Sequence, residues 1–162
     1  MALSKQKKKE VIDSLSMAIK TAASVVFVNF HGMHVNDETS MRRALRAEGV
    51  TYTVAKKRLL KKSLEGQALT GDLPSLEGEL GVAYGADMIA PARGVYQFQK
   101  SLDNKVSILG GIFEGKFLGK EEMTVIAQIP SQKTLYAQFV NLINSPIQGL
   151  VIALDGIASK KQ

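Results

Sequence analysis

Between Lys133 and Lys160 the sequence places a single charged residue, Asp155, among apolar side chains at helical spacing. Leu135, Phe139, Leu142, Ile143, Leu150, Leu154 and Ile157 run along one stripe, which Tyr136, Val140, Ile147 and Val151 widen. A stripe this broad cannot be left in water, so its own domain, a bilayer or another protein must cover it. The segment is long enough for a bilayer. Asn141, Asn144, Gln148, Asp155 and the Pro146 and Gly149 pair argue against a span, and the chain before it reads as complete without it. Partner proteins are the expected cover, with no membrane. Tyr136, Phe139, Val140 and Ile143 recur eleven residues later as Ile147, Leu150, Val151 and Leu154. Eleven residues are close to three helical turns, so both sets face nearly the same way and predict two tandem docking patches. Pro146 lacks an amide hydrogen and is expected to kink the helix between them.

The remainder reads as an α+β domain. Val11, Leu15, Ala18 or Ile19, and Ala22 fall at helical spacing within residues 4–22. Val25-Val26-Phe27-Val28-Asn29-Phe30 is a β-branched and aromatic run, expected as a buried strand. Asn36 is placed to cap a second helix, with Asp37 and Glu38 in its first turn, Met41, Ala44 and Leu45 inward and Gly49 as the stop. Val50 to Val54 alternates as a half-buried strand, and Lys56 to Leu64 returns to helix. After a loop with Gly71, Pro74 and Gly78 come a strand over 80–84, a helix over 91–102 and a strand over 106–109. Gly110, Gly111, Gly115 and Gly119 mark a turn-rich stretch before a short helix over 120–128. Without the extra helices the order is strand–helix–strand twice, which predicts a ferredoxin-like, split βαβ sheet with helices on one face. Ser131 is expected to cap the final helix, dividing the chain into residues 1–130 and 131–162.

Charge divides earlier in the chain than this boundary. Residues 1–64 hold 13 Lys and Arg against 5 Asp and Glu, whereas residues 65–162 hold 8 against 10. The polyanion-binding character therefore belongs to the first part, where neutralised phosphates would release counterions. Three clusters carry it: Lys5, Lys7, Lys8 and Lys9; Arg42, Arg43 and Arg46; and Lys56, Lys57, Arg58, Lys61 and Lys62. On a helix, Lys57 stands with Lys61, and Arg58 with Lys61 and Lys62. Those like-charge pairs weaken an isolated helix, a cost that an anion lying across them reverses. Aromatic content is only 6% with no Trp, which gives no stacking platform for single strands. The expected target is folded RNA, read by shape and backbone.

Catalytic patterns are absent from the readings the sequence supports. Gly110 to Lys116 has the spacing of a phosphate-binding loop, but Phe117 stands where a Ser or Thr should hold magnesium, and Glu114 would repel phosphate. Gly78-Glu79-Leu80-Gly81 has the spacing of a KH loop with the same fault at its Glu. His31 and His34 have no third ligand nearby, which makes a poor zinc site. The absence of cysteine removes disulfides and thiolate sites and fits a reducing cytoplasm. Neither an enzyme nor a cofactor is expected.

Five stretches resemble a known family when taken in order: Phe30-His31-Gly32-Met33, Met41 to Val50, Val54 to Lys62, Ile108 to Lys116, and Ile129-Pro130-Ser131. Together they are similar to the bacterial large-subunit ribosomal protein at the base of the flexible stalk, the L-ten family. The likeness covers nearly the whole chain. It implies an N-terminal domain seated on large-subunit rRNA near the GTPase-associated region, beside a neighbouring stalk-base protein. It also implies a C-terminal helix carrying dimers of acidic stalk proteins, which recruit translational GTPases, and a cytoplasmic place on the ribosome. Some members repress translation of their own message. By resemblance, RNA contact falls on the basic first helix, the His31-Gly32 turn and the helix from Lys56. The chain departs from the family's usual residues at His31, at Lys57-Arg58 and at Gly78-Glu79-Leu80. No third copy of the eleven-residue set fits before Gln162, so two acidic dimers are expected. The alternative is a nucleic-acid-binding regulator that dimerises through its terminal helix.

Overall fold

Val25, Val26, Phe27 and Val28 are each at most 1% exposed, so both faces of this strand are covered. Successive side chains of a strand point to opposite faces, so four apolar residues in a row require a core on each side. The computed structural model describes residues 5–67, 69–71, 73–102 and 105–160. The chain divides into two units that break between Ile129 and Pro130, and each is described by itself.

In the first unit the elements are α1 (Lys5–Thr21), β1 (Ser24–Phe30), α2 (Val35–Ala47), β2 (Val50–Val54), α3 (Lys57–Leu64), β3 (Glu79–Gly85), α4 (Ala90–Ser101), β4 (Val106–Phe113), β5 (Lys116–Leu118) and α5 (Lys120–Ala127). The sheet is antiparallel throughout, in the order β2-β3-β1-β4-β5. Its first four strands have the order that two interleaved split βαβ units produce, and β5 extends the edge.

Helices cover both faces, not the one face expected from sequence. Val26 and Val28 pack with Met41 and Leu45 of α2, Val95 of α4 and Met123 of α5. Val25 and Phe27 pack with Leu15 and Ile19 of α1, Leu60 and Leu64 of α3, and Val82 of β3. Of the three helices set aside as extra in the sequence reading, α1 and α3 thus build the second core, while α5 joins the first. Two further details differ. Ala44 is exposed, leaving Met41 and Leu45 as the buried pair of α2. His34, not Asn36, is the N-cap residue, and no side chain caps that helix. Gly49 follows with φ +76, the left-handed turn that ends α2 and starts β2.

The glycine-rich stretch from 110 is strand where turns were expected. Phe27 pairs with Gly110 but Val28 with Ile108, so Leu109 is an extra residue in a β-bulge. Gly110 takes φ +150 there, a conformation that side chains disfavour, and β4 continues to Phe113. Glu114 (φ 50) and Gly115 (φ 76) form the two-residue turn into β5, both with the positive φ of a type I′ hairpin. This is hairpin geometry, with its amides committed to a sheet.

The second unit is α6 (Gln132–Lys160), continuous through Pro146. Ser131 caps it, its Oγ accepting from the Thr134 amide at 3.3 Å.

Candidate functional site

The basic residues singled out from sequence fall on two opposite faces of the sheet. Amphipathicity decides this. Leu15 and Ile19 turn α1 toward the core of Val25 and Phe27, and Leu60 and Leu64 turn α3 toward the same core. The other side of each helix faces solvent, where Lys7, Lys8, Lys9, Lys56, Arg58, Lys61 and Lys62 are exposed and Lys57 is half-buried. The helices α1 and α3 pack against each other, so the two lysine clusters share one side of the molecule. The side chain of Lys5 lies outside the described residues. An open groove of about 590 Å³ runs beside them, floored by Val11, Phe30, Val54 and Leu59 and edged by Lys56 and Lys57.

Arg42, Arg43 and Arg46 lie on α2, packed against the other face through Met41 and Leu45. No single flat ligand meets both groups. Arg42 is also engaged within the protein. Its Nη2 donates to Glu38 Oε1 at 2.6 Å, its Nε to the same oxygen at 3.1 Å, and its guanidinium lies 5.3 Å from the centroid of the Tyr52 ring. Contact with a cation lowers the energy of the ring face, while the carboxylate neutralises the charge that a phosphate would seek.

Sequence reading did not single out Tyr52, and nothing in the alternation of β2 distinguished it from an ordinary core residue. Burial pushes its phenol up to about 12, Glu38 adds to the shift and Arg42 opposes it. The hydroxyl has no hydrogen-bond partner among the described residues and lies against Gly81, where any side chain would collide with it.

His31 and Gly32 follow β1 and are exposed. The His31 amide donates to the Lys105 carbonyl at 3.0 Å, and Gly32 adopts φ +63. The turn is thus tied to the start of β4, on the same sheet end as the groove residue Phe30.

Within unit 2, Leu135, Tyr136, Phe139, Val140, Ile143, Ile147, Leu150, Val151, Leu154 and Ile157 are all exposed, with Phe139 at 63% and Leu150 at 61%. The two four-residue sets lie about 16 Å apart along the helix and differ by about 20° in direction. Both are therefore presented to one side. Gln132–Ser159 also has the length and apolarity to cross a membrane, with a mean hydropathy of 1.3.

A family model described as "Ribosomal protein L10" matches residues 3–100. A curated protein of Fusobacterium nucleatum, named large ribosomal subunit protein uL10, is 36% identical, over 97% of this chain and 96% of its own length. Two strains of Dehalococcoides mccartyi have proteins of the same name that are 31% identical, over 94% of this chain and 87% of theirs.

Proposed function

This chain belongs to the ribosomal protein L10 family, structural proteins of the large ribosomal subunit and not enzymes, and we propose that it forms the base of the ribosomal stalk. In this reading the first unit sits on large-subunit rRNA through the exposed face of α1 and α3, together with the His31-Gly32 turn. Arg43 and Arg46, on the far face, meet a different RNA segment or the neighbouring stalk-base protein. The second unit carries two dimers of acidic stalk protein, one over Tyr136 to Ile143 and one over Ile147 to Leu154. Translational GTPases are recruited through those dimers, on ribosomes of the cytoplasm.

The observation that carries the reading is the apolar stripe of α6, exposed within its unit. Each large side chain in it contributes roughly 1.5–3 kcal/mol once buried, so the stripe favours apolar partner surfaces laid along the helix. The charge division supports the other half: a basic α1 and α3 face draws a polyanion, while α6 is nearly uncharged.

Native mass of the coexpressed complex tests the docking. Phe139→Asp and Leu150→Asp should each remove one acidic dimer, and full stoichiometry in both variants would refute the tandem patches. The RNA half is tested by reversing Lys57, Lys61 and Lys62 to Glu. Affinity for the stalk-base rRNA fragment should fall and its log–log salt slope should shrink by about three. A bilayer is the competing cover for α6, and flotation of the partner-free chain with liposomes would favour it.

A further inference from the structure

The sheet has two edges, and they are treated differently. At β5, Thr70 donates its amide to the Gly115 carbonyl at 3.1 Å and accepts from the Phe117 amide at 2.9 Å, so that edge is occupied. At β2 no described residue pairs on the outer side. The Ala55 amide donates to the Leu80 carbonyl at 3.1 Å, continuing the β2–β3 register. Backbone groups of alternate residues point the same way, so Thr51, Thr53 and Ala55 face β3. The amides and carbonyls of Val50, Tyr52 and Val54 therefore face outward.

Exposed edges are normally blunted by lysine, proline, a bulge or brevity. Val50-Thr51-Tyr52-Thr53-Val54 contains no charge and no proline, and its pairing with β3 has no register shift. Every residue in it is a strong strand former. The segment also reads the same in both directions. A two-fold axis beside Tyr52 would set Tyr52 against Tyr52, Val50 against Val54 and Thr51 against Thr53 of a second molecule.

We propose that the free β2 edge is a self-complementary interface on which a second copy of this chain pairs antiparallel about Tyr52, joining two sheets into one. A polyanion has nothing to hold along an uncharged strand, and a foreign strand would not need the palindrome. In this register the outward groups of Val50, Tyr52 and Val54 all find partners. On the α1 side an open groove of about 410 Å³, lined by Met17, Thr21, Thr51 and Tyr84, leaves the edge accessible. Two copies of net charge +6 repel, so pairing strengthens with salt, the reverse of RNA binding.

The chain has no cysteine, so introduced thiols report the register directly. Thr51 and Thr53 of two copies would form a non-hydrogen-bonded pair, with Cα atoms about 4.5 Å apart, within disulfide reach. Full-length Thr51→Cys and Thr53→Cys variants, mixed and mildly oxidised, should give about fivefold more covalent dimer than either alone, since neither residue meets its own counterpart. The excess should grow with salt. Adding Val54→Pro to both variants removes an outward amide while leaving the β2–β3 hydrogen bonds in place, and should abolish it. Equal yields from the mixture and the single variants would overturn the proposal. So would equal cross-linking of a Ser159→Cys control on α6, which would assign self-association to the terminal helix. An excess that survives Val54→Pro would overturn it as well.

Discussion

Tyr52 shows how one buried group ties stability to pH. Its phenol is pushed up to about 12 in the fold by burial first and Glu38 second, against an ordinary value of 10.0. Between those values the unfolded chain releases the proton while the folded one keeps it, so stability falls as pH rises from 10 to about 12. Below pH 10 both states hold the proton and the group contributes no pH dependence. Tyr52→Phe should abolish that alkaline loss, read as denaturant midpoints across the range. At neutral pH the same change removes a hydroxyl without a partner and should stabilise the protein by about 1 kcal/mol. The basic cluster was legible in the sequence as a count of charges. The Glu38–Arg42 pair has ordinary i,i+4 helical spacing and is readable from it, but the contact of Arg42 with the Tyr52 ring is not, because the ring comes from a neighbouring strand.

At the level of elements, periodicity located almost every helix and strand, and its failures have local causes. Glycine ordinarily weakens strands, so Gly110 and Gly111 read as turn; a bulge at Leu109 instead uses the conformational freedom of Gly110. Gly111 has a different reason. A side chain there would meet the Met123 methyl, which can move, and the Val25 carbonyl of β1, which cannot, so glycine is what lets β4 lie this close to β1. In α6 the helix runs through Pro146, whose missing amide leaves the Leu142 carbonyl without its usual donor. Pro146→Ala restores that bond and should raise helicity and thermal stability of the segment, worth up to about 3 kcal/mol. The number of docked dimers should stay at two, since the patches lie on either side of the substitution. A change in stoichiometry by native mass would make the proline part of the docking surface.

Across the whole chain, charge and grease are separated into different units, and the two should answer salt in opposite senses. Raising salt from 50 to 200 mM should weaken rRNA binding steeply while leaving stalk-dimer docking unchanged or tighter, measured on the same preparation by titration with each partner. Composition and spacing were enough to see this separation, because net charge and a helical stripe are properties of the chain read along its length. The βαβ order was equally readable from alternation and from where the glycines fall. Which residues become neighbours was not. Lys7 to Lys9 and Lys56 to Lys62 share a side only because α1 and α3 cover the same sheet face, and the α2 arginines are sent to the other. The free edge at β2 is likewise invisible in five residues that would look identical in a central strand. Local patterns encode which face of an element is apolar. The side of the sheet it then covers, and which strand is left unpaired, depend on contacts between segments far apart in the chain.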